Sequence, residues 1–181
     1  MKTRTHISNS GFTLIELLVT LAIVAILLSF AVPGMQTFSN SQLIEFPKKL
    51  LSKHIDDARE YASSTYNTDV RICTSDDGVT CSGSDNWGRG WIVFVVDGND
   101  CPAAGCILDS MNAADDIAEG ITINGSLDQM TFSPDGRSDA QGTIRICGAD
   151  ADAAGDERRS YTVAVNLSGR RSIRRGTDLC P

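Results

Sequence analysis

The sequence predicts an α+β chain: a long N-terminal helix, apolar at first and amphipathic later, followed by a β-rich, disulfide-stapled domain. Three observations carry this. Residues 12–32 form a run of 21 mostly apolar residues, and residues 44–62 repeat apolar side chains at helical intervals. From Asp69 on, short β-rich runs alternate with clusters of Gly, Asp, Asn and Ser, and all six cysteines fall there.

The apolar run comes first. At 1.5 Å per residue it reaches roughly 31 Å, the thickness of a bilayer's hydrocarbon core. A secretory signal peptide would have a shorter apolar core followed by a small-x-small cleavage site. Here the polar leader, with Lys2, Arg4, His6 and Asn9, ends at Gly11, before the run begins. A cut at that glycine would keep the helix. Glu16 stands near the start of the run, and a carboxylate in apolar surroundings costs about 2.5 to 3.5 kcal/mol on insertion scales, so it needs a function and a partner. The partner suggested by its position is a cation, such as the amine freed by cleavage after Gly11, on this or a neighbouring subunit.

The residues "GFTLIELLVTLAIVAIL" closely resemble the class III leader of type IV prepilins and type II secretion pseudopilins. The resemblance implies cleavage after Gly11 by a membrane-embedded prepilin peptidase, N-methylation of the new first residue, Phe12, and a role for Glu16 in recruiting and registering subunits in a filament. Further along, "ARE", "VRICTSDDGVTCSGSDNWGRGWIVFVV", "MTFSPDGRS" and "SGRR" follow in the order and at roughly the spacing of the GspH/FimT branch. That branch implies a pilin fold, a long helix packed on two small antiparallel β-sheets. It also implies a subunit held in the inner membrane with its domain in the periplasm, extracted later into a pilus or pseudopilus, with other pilins and an inner-membrane assembly platform as partners.

Beyond the run, Pro33-Gly34 interrupts the helical pattern, since proline removes a backbone donor. Ile44, Leu51, Ile55, Ala58 and Ala62 then recur at spacings of 7, 4, 3 and 4, with Lys48, Lys49, Lys53, Asp56, Asp57 and Glu60 largely on other faces. The reading is a helix from about Phe12 to Ser64, bent near Pro33 and Pro47, with its distal stripe packed on a sheet. Predicted strands are 70–73, 91–96, 121–124, 130–132, 143–147 and 161–167. Tyr161, Val163, Val165 and Leu167 share one face, and the continuously apolar 91–96 reads as a central strand. Asp135-Gly136 reads as a turn. The organisation is a leader at 1–11, an apolar helix at 12–34, an amphipathic helix at 35–66 and a globular domain at 67–181. That last part, about 115 residues, suits one core.

The formal net charge is −7; loss of Lys2 and Arg4 with the leader leaves 14 basic against 23 acidic residues, or −9. Averaged over the surface this repels nucleic acid, so any such site must be local. The cysteines lie on the side that a positively charged leader leaves outside the cytoplasm, where disulfides persist. Loop closure and spacing favour Cys73 with Cys81, Cys101 with Cys106, and Cys147 with Cys180. No C-x-x-C occurs, and beyond the leader only His54 is available, so no metal site or cofactor is expected. A catalytic triad would have to use His54, which stands among Lys53, Asp56 and Asp57 and reads as a solvated helix histidine; no enzyme is expected. "DGND" at 97–100 lacks the spaced ligands of a 12-residue calcium loop.

The tail "GRRSIRRG" sets Arg170, Arg171, Arg174 and Arg175 within six residues of an otherwise acidic chain. Such guanidinium groups either track phosphates of double-stranded DNA or pair with acidic loops or a neighbouring subunit. In the FimT minor pilin of naturally competent bacteria a C-terminal G-R-x-R motif binds DNA. Gly169, Arg170 and Arg171 match its start, but Ser172 stands where its second arginine would fall. No aromatic residue interleaves the arginines, which favours duplex phosphates over stacked single strands.

Overall fold

The computed structural model describes residues 13–96, 106–112, 117–149, 151, 159–176 and 180, those from 30 to 42 by backbone alone. Two units are distinguished, Met1–Ser39 and Asn40–Pro181. Helix α1 runs Leu14–Leu43 and α2 runs Glu45–Ser64.

Helix α1 runs unbroken through Pro33, where the sequence reading placed a bend. The break falls at Ile44, and Pro47 favours it. A proline cannot bond the carbonyl four residues back, and its ring crowds that carbonyl, which here belongs to Leu43, the last residue of α1. In α2 the same proline sits in the first turn, where backbone donors lack intrahelical partners anyway. Hydrogen bonding resumes with Lys48 N–H donating to the Ile44 carbonyl at 3.3 Å.

Eight strands form two antiparallel sheets. β1 (Asp69–Thr74), β2 (Gly90–Val96), β3 (Ile107–Asn112) and β5 (Gln129–Phe132) make sheet A, in the order β3-β2-β1-β5. β4 (Thr122–Gly125), β6 (Gly142–Cys147), β7 (Ser160–Val165) and β8 (Arg171–Arg175) make sheet B, in the order β4-β6-β7-β8. All six predicted strands are present, and β2 is internal and buried over its first five residues. The predicted strands did not include β3 or β8, the latter formed by the arginine tail. Both are edge strands. Asp135-Gly136 is a turn, Gly136 taking φ +75°.

Helix α2 is shared by both sheets, touching β1, β2 and β5 of one and β7 and β8 of the other. Its whole stripe, Ile44, Leu51, Ile55, Ala58 and Ala62, is buried against Val70, Ile72, Trp91, Phe132, Val163 and their neighbours. Tyr161, Val163 and Val165 face this core, whereas Leu167 lies past the strand end and is exposed. Cys73 is bonded to Cys81, and Cys147 to Cys180, which fastens the chain's end to β6. Cys106 is also disulfide-bonded; Cys101 lies outside the described residues.

Candidate functional site

Gly11 and Phe12 lie outside the described residues. The chain enters α1 at Thr13, whose hydroxyl accepts a hydrogen bond from the Glu16 N–H at 3.3 Å. Thr13-Leu14-Ile15-Glu16 thus has the T-x-x-E spacing of a capping box, and Glu16 lies in the first turn, at the positive end of the helix dipole. The helix is therefore capped two residues past Gly11 and begins at Leu14, with a carboxylate in its first turn. From Leu14 to Leu28 the large apolar side chains are exposed on every side. Such a helix needs a cover, from lipid or from other helices. Among the described residues no helix is long and apolar enough to cross a membrane. The side chains described reach from 13 to 29, roughly 26 Å of helix, while the apolar run of the sequence extends to Val32.

The arginine tail is divided by strand geometry. Alternation puts Arg171, Ile173 and Arg175 on the face of β8 toward α2, and Ser172 and Arg174 on the other. Arg171 makes a two-pronged contact with Asp56 of α2, its Nε donating at 3.0 Å and its Nη2 closer still, which raises the guanidinium's affinity for its proton. Arg175 Nε donates to the Tyr161 hydroxyl at 3.0 Å and the guanidinium lies over that ring. The Tyr161 hydroxyl in turn donates to Glu45, which also holds Lys48. Burial raises the Glu45 pKa, but the hydrogen bonds from Lys48 and Tyr161 and the charges of Lys48 and Lys49 outweigh it, leaving the carboxyl below its ordinary 4.5. Arg170 and Arg174 have no side-chain partner among the described residues. A groove of ≈ 380 Å³ lies along α2 and β8, lined by Lys48, Lys49, Lys53, Asp56, Asp57 and Arg171 among others. Lys49 is its unpaired cation among the described residues.

His54 is not the solvated histidine that its charged neighbours suggested. It is 2 % exposed, its Nδ1 accepting from Trp91 Nε1–H at 2.9 Å and its Nε2 lying 3.0 Å from Asp109 Oδ2. Its spacing, three residues after Leu51 and four before Ala58, is the signal that places it on the buried face. No nucleophile adjoins it among these contacts. Among the described residues no group of three or more His, Cys, Asp or Glu could hold a metal ion. Residues 97–100 lie outside the described residues.

Three of the short motifs meet. Arg59, from "ARE", donates from Nε to the Gly136 carbonyl of "SPDGRS" at 2.9 Å. Gly169, from "SGRR", takes φ +70°, and a Cβ there would stand 2.1 Å from that same carbonyl oxygen. These stretches are held for packing.

A helix beginning in a bare apolar run, a second helix laid across two small antiparallel sheets, and stapled loops define a pilin-type subunit. The chain belongs to the family described as Type II transport protein GspH, whose profile matches residues 52–169. Residues 8–32 match the prokaryotic N-terminal methylation motif. Crystal structures of the type IV minor pilin FimU of Pseudomonas aeruginosa (strain PAO1) share the fold. One superposes with a TM-score of 0.53 at 16% identity, over 74% of this chain and 96% of that one. The other gives 0.55 at 17% identity, over 82% and 98%. A search of curated protein sequences gives no significant match. Family and fold are those of structural filament subunits and not of enzymes.

Proposed function

We propose that the chain is a minor type IV pilin, held in the inner membrane by its apolar helix, cut after Gly11 by a prepilin peptidase, methylated on Phe12 and added to a pilus near its tip. The observation that carries this is the coincidence of the methylation motif over 8–32 with a helix capped at Thr13 and bearing Glu16 in its first turn, ahead of a GspH domain. Glu16 serves registry: its carboxylate meets the methylated amine of a neighbouring subunit as the apolar helices pack together and exclude water. The platform and the other pilins are its partners.

The test is the intact mass of the full chain recovered from sheared filaments of a pilus-bearing host. Loss of residues 1–11 with gain of one methyl group is expected. Gly11→Val should block cleavage, and Glu16→Gln should be cleaved yet absent from filaments. A wild-type chain that stays uncut, or a Glu16→Gln chain that assembles normally, would sink the reading. The family's description favours a second role, a pseudopilin of type II secretion. Deletion would then abolish secretion of exoproteins while leaving surface pili intact. DNA binding through the tail finds less support, because Arg171 and Arg175 are engaged within the domain.

A further inference from the structure

The buried histidine has no part in leader processing or in the apolar helix, yet it joins three elements. His54 projects from α2; Trp91, fully buried, comes from the central strand β2; Asp109, 41% exposed, comes from the edge strand β3. The rings of His54 and Trp91 meet edge to face, their centroids 6.2 Å apart and their planes at 77°.

The indole nitrogen can only donate, so His54 Nδ1 must be the bare acceptor and the single ring proton must sit on Nε2, aimed at Asp109. We propose that His54 is a proton-operated latch between α2 and sheet A: neutral, it ties Trp91 to Asp109, and a proton arriving at Nδ1 opens the joint. Protonation sets two N–H donors against each other across 2.9 Å, and one must leave. The groups facing the ring act in opposite directions. Asp109 on β3 and Asp57 on α2 favour the imidazolium, and Lys53 on α2 opposes it. Trp91 on β2 opposes it through its donor.

Burial is the largest influence and lowers the pKa of His54; Asp109 pulls it back up, Lys53 pushes it down and Asp57 pulls it up, leaving it below the ordinary 6.5. A depressed histidine binds its proton later in the fold than in the unfolded chain. Stability from this source is therefore full above pH 6.5 and declines as pH falls toward the folded-state value. The only other histidine is His6, in the leader.

The test uses the full ¹⁵N-labelled chain in detergent micelles, titrated from about pH 8 to about pH 4 and followed by NMR. With two tryptophans, two indole N–H signals are available, one of them Trp91. At the alkaline end His54 should carry its proton on Nε2. The Trp91 signal should then move in a one-proton transition centred below the ordinary histidine value. His54→Gln, whose amide can accept from Trp91 and donate to Asp109 without titrating, should abolish that transition. Asp109→Asn should move its midpoint to lower pH. The proposal is overturned by an Nδ1–H tautomer at the alkaline end, by a transition that persists in His54→Gln, by a midpoint that Asp109→Asn leaves in place, or by a Trp91 signal that does not move before acid unfolding. Should His54→Gln not fold, the wild-type tautomer and the Asp109→Asn midpoint decide.

Discussion

Replacing both Cys147 and Cys180 by Ala should destabilise the domain more than replacing Cys73 and Cys81, and loop length sets by how much. The first bridge spans 33 residues of sequence, so opening it returns roughly 12.5 cal/mol/K of chain entropy to the unfolded state, about 3.7 kcal/mol at 25 °C. The second spans 8, worth about 2.5 kcal/mol on the same relation. Cys73 and Cys147 are both buried, at 1% and 3% exposure, but Cys180 is buried as well whereas Cys81 is exposed, so truncating the long bridge adds a packing loss in the same direction as the loop difference of roughly 1.2 kcal/mol. The long bridge also fastens the end that follows β8, an edge strand paired to β7 alone. Thermal unfolding of the full chain in detergent, followed by circular dichroism, is the assay. For a unit spanning Asn40–Pro181 the Cys147/Cys180 variant should melt about 10–15 °C lower. Equal losses in the two variants, or a larger loss for Cys73/Cys81, would refute the chain-entropy account and assign the bridges a local packing role.

Gly169→Ala should cost about 2–4 kcal/mol, combining left-handed backbone strain with a collision on the Gly136 carbonyl, and urea unfolding should show it. Tyr161→Phe should remove one of two hydrogen bonds held by the half-buried Glu45 carboxylate, together with the acceptor of Arg175 Nε–H, and cost about 1.5–3 kcal/mol. Because the Glu45 pKa is depressed, that stability is present above pH 4.5 and lost as pH falls through the folded-state value. The difference between Tyr161→Phe and wild type, measured by urea unfolding at several pH values, should therefore shrink on acidification. A constant difference would argue against the carboxylate.

The helices and internal strands were legible because burial writes itself into a local pattern: period near 3.6 in 44–62, alternation in 161–165, continuity in 91–96. β3 and β8 were obscure because these two edge strands bury little, unlike the edge strand β5, whose last three residues are buried. In "ILDSMN" only Met111 is buried, and "RSIRR" is nearly all exposed. Pro47 was legible as a bend, but not the four-residue offset that puts the break at Leu43–Ile44. His54 was misread because its charged neighbours in sequence were weighed above its place on the helical face. The Arg171 to Asp56 contact joins residues 115 apart and has no local signature.

That contact bears on the tail's likeness to a DNA-binding motif. Gly169, the first letter of the match, is required by a positive φ and by the close approach of Gly136. Arg171, the third, is held by Asp56. Gly169 thus has a structural cause and Arg171, at the motif's open position, a partner within the domain; of the tail's four arginines, Arg170 and Arg174 are left free to meet phosphate among the described residues. Each phosphate neutralised on duplex DNA contributes about −0.9 to the slope of log affinity against log salt. Two free arginines then give a slope near −1.8, whereas four engaged together would give about −3.6. Fluorescence anisotropy of the full chain with a short duplex, over a range of salt, separates the cases. If DNA binds at all, Arg170→Gln with Arg174→Gln should abolish the salt-dependent part, and Arg171→Gln with Arg175→Gln should leave most of it. A slope near that of four contacts, or binding lost only in the second pair, would mean that Asp56 and Tyr161 release their arginines to the duplex and that the folded arrangement is a closed form of a real site.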